Sequence, residues 1–184
     1  MSVRQSQRKK NPNVIIRELM AEDIDAIIGI DTKVMGEAKP EYWRRKLALY
    51  LSERDLQAIT AANQYFSGID PQLARVADVN GKVVGFIIGE IRSWEFRQPP
   101  TGWITALAIS PDCRRQGIAR RLLVEVLDYF REKGLENVRT MVEWSDGEVL
   151  SFFTAMGFDR GPFIELEKKL VSFQPLRRQG TKND

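Results

Sequence analysis

A chain of 184 residues with 43% hydrophobic and 29% charged side chains can bury one domain's core and is too apolar for a disordered segment. One cysteine and no histidine exclude an internal disulfide, a Cys- or His-ligated metal, and Ser-His-Asp or Cys-His catalysis. The net charge of +3 sits at the ends, with Arg4, Arg8, Lys9 and Lys10 in residues 1–13 and Arg177, Arg178 and Lys182 against Asp184 in 174–184.

The two ends therefore read as solvated basic tails around a single domain of residues 14–173. No aromatic residue interleaves with the N-terminal charges, which disfavours a nucleic-acid arm. No apolar run approaches the ~20 residues of a membrane helix, and none follows the N-terminal charges as a secretory signal would require. A cytoplasmic protein without a membrane partner is the expectation.

In chain order, residues 14–19 read as a strand. Ala21-Glu22-Asp23 opens a helix whose apolar face carries Ile24, Ile27 and Ile28, broken at Gly36 and Pro40. Residues 41–51 form a second helix, with Trp43, Leu47 and Leu51 four apart. Residues 67–71 (Ser-Gly-Ile-Asp-Pro) read as a turn. Asn80-Gly81 between two β-rich runs, 73–78 and 83–91, is the clearest hairpin signal, since both turn residues tolerate positive φ. Pro99-Pro100 closes a polar loop before a strand at 103–110. Ile118, Leu122, Leu123, Val126 and Phe130 stripe an amphipathic helix over 117–133, ended by Gly134. A strand at 138–144, a helix at 148–156 stopped by Gly157, and a strand at 163–171 complete the chain. This order predicts one mixed α/β layered domain.

The segment 105–123, TALAISPDCRRQGIARRLL, carries the chemistry. A strand ends at Ser110-Pro111, a basic loop follows, and Gly117 opens a helix. Free N–H groups and the macrodipole at a helix start form an anion site, and Gly117 lets the backbone approach a ligand closely. Arg114, Arg115, Arg120 and Arg121 add positive charge, which suits a pyrophosphate. Neither GxxxxGK[ST] nor GxGxxG is present.

Arg114-Arg115-Gln116-Gly117-Ile118-Ala119 resembles the acyl-CoA pyrophosphate signature [RQ]-x-x-G-x-[GA] of the GNAT (Gcn5-related N-acetyltransferase) superfamily. The preceding LAISPDC, the following RRLL and the later Gly157-Phe158 pair extend the resemblance over about residues 14–171. It implies an α/β GNAT fold, with a central mixed, mostly antiparallel sheet of 6–7 strands, about four flanking helices, and splayed fourth and fifth strands. It implies acetyl-CoA as acyl donor, no metal, and transfer to a primary amine (a peptide or protein N-terminus, a lysine or a small amine) without a covalent enzyme intermediate.

Under that resemblance, backbone groups of Leu107, Ala108 and Ile109 would pair with the pantetheine arm. The N–H groups from Arg115 through Gln116, Gly117, Ile118 and Ala119 to Arg120 would wrap the pyrophosphate, with Arg114, Arg115, Arg120 or Arg121 meeting the 3′-phosphate. The motifs are most similar to the subgroup that acetylates ribosomal-protein N-termini. There the usual acid, a Tyr, aligns with Phe153, the usual Asn with Asp146, and the usual base with Met141. Glu143, two residues after Met141 and on the same side of a strand there, is the first candidate base, and Glu90 the second. Ser145 or Thr105 could bind the carbonyl or a water. Cys113 reads as a small loop residue with no base beside it. The acceptor side would be formed by residues 32–42 and 93–102, with Tyr42, Trp43, Trp94, Phe96, Trp103 and Trp144 as aromatic walls or core. The alternative is a non-catalytic acyl-CoA-binding module of the same fold. A homodimer is left open.

Overall fold

The computed structural model describes residues 13–51, 69–93 and 99–169. Among these residues one sheet holds five strands in the order β1 Val14–Glu18, β2 Ile69–Val79, β3 Lys82–Arg92, β4 Thr101–Ile109 and β5 Val138–Thr140. The first four pair antiparallel and β5 joins β4 in parallel, so the sheet is mixed, as expected. Among the described residues four helices flank it: α1 Ile24–Met35, α2 Pro40–Leu51, α3 Ile118–Glu132 and α4 Gly147–Ala155.

The sheet separates two apolar layers. On one face Ile27 and Ile30 of α1 and Trp43 and Leu47 of α2 pack on Val76, Phe86 and Ile88. On the other, the α3 stripe of Ile118, Leu122, Leu123, Val126 and Phe130 and the α4 residue Phe153 pack on Leu73, Ile87, Ile104 and Ile109. Phe130 needs glycine beneath it: a Cβ on Gly102 would lie 2.6 Å from its ring, and one on Gly89 2.9 Å. Asn80 (φ 54°) and Gly81 (φ 81°) make the tight turn of the β2–β3 hairpin, and Gly81 N–H donates to Asp78 Oδ1 at 2.7 Å. Pro40 does not merely break α1. It is the first residue of α2, where its missing N–H costs nothing.

Three strand expectations are corrected. The sheet has five strands among the described residues, not six to seven. The strand predicted over 138–144 ends at Thr140, and Met141, Glu143 and Trp144 are exposed in irregular chain. Residues 163–169 form no strand. Ile164-Glu165-Leu166-Glu167 alternates as a strand should, but Ile164 and Leu166 are 70% and 85% exposed, and β-propensity without burial does not hold a strand. Of the turn predicted at 67–71, residues 69–71 belong to β2, where a register shift between Asp70 and Leu73 accommodates Pro71. Ser67, Gly68, Trp94, Phe96, positions 170–171 and, apart from Asn13, the two basic ends lie outside the described residues.

Candidate active site

The site begins where two strands part. β4 and β5 pair only at Gly102–Val138, Trp103–Arg139 and Ile104–Thr140. The Thr140 hydroxyl donates to the Ile104 carbonyl at 3.1 Å, which closes the paired segment. Beyond it β4 runs on to Ile109 while residues 141–143 leave the sheet. On its other side β4 remains bonded to β3, with Ser110 N–H donating to the Val84 carbonyl at 2.8 Å. Antiparallel pairs alternate, so Ala108, opposite Phe86, also turns its peptide groups to β3. Leu107 and Ile109 then turn theirs into the gap. The three residues expected to act together thus divide, with two facing the gap and Ala108 holding the strand.

The loop after β4 is short and tightly turned. Pro111–Cys113 form one 3-10 turn, then Arg115 (φ 59°) and Gly117 (φ 74°) both adopt left-handed backbone. Such reversals turn successive N–H groups to one side. The first helical bond of α3 is Arg121 N–H to the Gly117 carbonyl at 3.1 Å, so the N–H groups of Ile118, Ala119 and Arg120 precede the ladder. A Cβ at Gly117 would meet nothing within 4 Å, so open space lies over this turn. The Ile118 side chain is buried and anchors the turn from beneath. Arg114, Arg115, Gln116, Arg120 and Arg121 are exposed around it. Arg120 and Arg121 also line a shallow groove with Val14, Ile15 and Ile16 of β1. Cys113 is half-buried and packs against the α3 core.

On the α2 face, at the start of the gap, a second cluster forms from side chains. Glu90 of β3 is buried. Its Oε1 accepts from the Tyr50 hydroxyl at 3.0 Å and lies 3.6 Å from Lys46 Nζ. Its Oε2 accepts from Arg92 Nε and Nη2 at 3.3 and 3.2 Å. Lone carboxylates in an apolar strand are tolerated when paired and hydrogen-bonded in this way. The Arg92 guanidinium stacks 4.7 Å over the Trp103 ring. Burial first, then the charge and hydrogen bond of Glu90, push the Tyr50 phenol well above its ordinary pKa, so it stays protonated. Thr105 is the extra residue of a β4 bulge, since Ile88 faces Ala106 and Gly89 faces Ile104. Its hydroxyl points toward Tyr50, is buried, and makes no hydrogen bond of normal geometry among the described residues.

The remaining candidates lie elsewhere. Glu143 is exposed, in irregular chain rather than in a strand, and accepts from the Ser145 hydroxyl at 2.6 Å. Asp146 caps α4 by accepting from Val149 N–H at 3.0 Å. Phe153 is buried against Phe158, with ring centroids 5.1 Å apart. Trp43 is core: it packs on Phe86 and donates to the buried Asp31 at 2.7 Å. Tyr42 and Trp144 are exposed. Lys46, Tyr50 and Arg92 were not anticipated from sequence. The available signal was Glu90 itself, a carboxylate in the run VVGFIIGEI that had to find buried partners. Among the described residues no acidic, histidine or cysteine group of three or more could hold a metal ion, and no helix is long and apolar enough to cross a membrane.

The fourth and fifth strands part over a glycine-bearing basic turn, as the resemblance implies. Residues 37–158 match the acetyltransferase (GNAT) family, and the chain belongs to that family. It is 28% identical over 109 residues to mycothiol acetyltransferase from Rhodococcus jostii (strain RHA1), covering 59% of this chain and 35% of that protein. It is 31% identical over 101 residues to N-alpha-acetyltransferase 20 from Dictyostelium discoideum, covering 52% and 54%. The chain thus spans only about a third to a half of the length of these relatives. The fold is shared with aminoglycoside N-acetyltransferase AAC(6')-Iy in complex with CoA, at a TM-score of 0.67 and 16% identity over 89% of this chain and 99% of that one.

Proposed function

We propose that the chain is an acetyl-CoA-dependent N-acetyltransferase acting on a primary amine. The observation that carries this is the parting of β4 from β5 just after Ile104 and Thr140, leading directly into the open turn at Gly117. The residues fit the donor. Peptide groups of Leu107 and Ile109 would take the pantetheine arm as an added strand would. The N–H groups from Arg115 to Arg120 would take the pyrophosphate at a helix start, with the exposed arginines completing the charge. Bound acetyl-CoA supplies the acyl group already activated as a thioester. The chain's own work is to hold it, present an amine to it and remove a proton from that amine.

Glu90 is the base in this reading. Its burial and its place on the α2 face beside Thr105 support it, whereas Glu143 is solvated and engaged by Ser145. A peptide or protein N-terminus is the favoured acceptor. The likeness to N-alpha-acetyltransferase 20 and the motif resemblance to the ribosomal-protein subgroup support it.

Calorimetry with acetyl-CoA, followed by free-thiol release against a peptide with a free N-terminus, a lysine peptide and spermidine, tests the proposal. Binding and turnover are expected; absence of binding would overturn it. Glu90→Gln should lower turnover by about 10²-fold and Glu143→Gln by less than about threefold. The reverse order would return the base to Glu143. A second reading, acyl-CoA binding without turnover, is favoured by Phe153, buried in the core at the position of the usual acid. It predicts tight binding and no thiol release with any amine.

A further inference from the structure

We infer that Tyr50 is a catalytic residue of this site, carrying the proton that the acceptor amine loses on to Glu90. The inference rests on the transferase reading above and adds to it a residue from α2.

Three observations converge on the phenol. Its hydrogen is committed, because the hydroxyl donates to Glu90 Oε1 at 3.0 Å. Its oxygen therefore has lone pairs left to accept from another direction. That direction includes Thr105, the bulge residue directly after Ile104, the last β4 residue paired to β5. The Thr105 hydroxyl is buried without a normal hydrogen bond among the described residues, and buried hydroxyls are rarely left so. The Tyr50 oxygen and the Thr105 hydroxyl thus lie together beside the residue at which β4 and β5 part.

The third observation is how rigidly Glu90 is held. Lys46 at 3.6 Å fixes Oε1 and Arg92 at 3.2 Å fixes Oε2, while Arg92 is itself stacked on Trp103. The carboxylate cannot swing to meet a substrate without breaking several contacts. It reaches the amine through Tyr50.

One N–H bond of the acceptor ammonium breaks and its proton joins the Tyr50 oxygen. The original Tyr50 O–H bond breaks in the same motion and that proton joins Glu90 Oε1. The amine becomes neutral and nucleophilic, Glu90 becomes a neutral acid, and Tyr50 is a neutral phenol before and after. No phenolate forms, which the burial of the phenol beside Glu90 would oppose. The amine's second proton goes to the departing thiolate. The Glu90 proton then returns to water.

The test is Tyr50→Phe, measured with acetyl-CoA and whichever of the three amines the wild type turns over. The groups that face Tyr50 are Lys46 and Tyr42 of α2, Glu90 and Arg92 of β3, and Thr105 of β4. Tyr50→Phe keeps all of them and removes only the accepting oxygen and its proton. Turnover should fall by about 10²-fold with acetyl-CoA affinity unchanged within about twofold. The residual rate should then rise tenfold per pH unit toward the amine's own pKa, because the variant must take its amine already neutral from solution. A structural role alone would not change that profile. Turnover within threefold of wild type, with an unchanged pH profile, would overturn the role of Tyr50 and leave the transferase reading standing. A wild type without turnover on any of the amines would overturn both. Should Tyr50→Phe fail to fold by circular dichroism, Tyr50→Met, which also lacks the hydroxyl, carries the test with the same outcomes.

Discussion

The two sides of the gap are built from different materials. The donor side is backbone: outward peptide groups on β4, two left-handed residues, and N–H groups ahead of the α3 ladder. The side proposed for the acceptor is side chain: Glu90, Tyr50, Lys46, Arg92, Trp103 and Thr105, drawn from α2, β3 and β4. A backbone site needs only a few small or permissive residues in one stretch of chain, and it binds the part of the reaction that does not vary. A side-chain site is assembled across the fold and can be changed one residue at a time. In the proposed transferase one side would hold the donor, and the other would hold the acceptor and carry the proton.

Four perturbations break or sharpen this division. The largest effect belongs to Gly117→Glu, which puts a carboxylate over the anion turn and a side chain at φ 74°. Acetyl-CoA affinity should fall by more than about 10²-fold by calorimetry. Gly117→Ala, which adds only backbone strain in open space, should cost much less. Equal losses would mean that charge plays no part at this turn.

Next is Arg17→Met. Arg17 donates to Asp23 at 2.7 and 2.9 Å and to Asp78 at 3.1 Å, forming a second, partly buried side-chain cluster, away from the gap. It is the control for the first cluster: its loss should cost about 1–3 kcal/mol of stability and leave catalysis by the folded enzyme intact. Burial pushes Asp23 up, but the hydrogen bonds from Arg17 and from Met20 N–H outweigh it and hold its pKa below the usual carboxylate range. The unfolded chain then binds the proton more readily, so this contribution is full above the unfolded carboxylate value of about 4 and is lost as pH falls through the lower folded value. Denaturant melts should show the wild type and Arg17→Met converging below about pH 4 and parallel above it.

Gly102→Ala acts on both sides at once, because Gly102 begins the β4–β5 pairing and lies under the Phe130 ring. Overpacking should cost about 1–3 kcal/mol, read as a melting temperature lower by roughly 2–10 °C. The smallest stability effect is Asp146→Ala, which removes the α4 cap at about 1 kcal/mol. It should not alter acetyl-CoA affinity.

The same division explains what could be read from sequence. The donor turn was legible because its elements are contiguous: Arg114 to Ala119 sit between a strand and a helix, and small-residue spacing survives without knowledge of the fold. The Asn80-Gly81 turn and the α3 stripe were legible for the same local reason. The Glu90 cluster was not, since Tyr50 and Glu90 are forty residues apart and meet only when α2 lies on the sheet. Glu143 looked like a strand residue because Val138 to Trp144 is strand-like in composition. The strand in fact ends at Thr140, whose hydroxyl closes the pairing onto Ile104. The last predicted strand failed because its apolar residues, Ile164 and Leu166, are left exposed among the described residues.

The most direct test measures both sides in one protein. For Glu90→Gln, acetyl-CoA affinity by calorimetry and turnover by thiol release are determined on the same sample as for the wild type. The division of labour predicts affinity unchanged within about twofold and turnover reduced by about 10²-fold. A parallel loss of both, or turnover that survives intact, would contradict it.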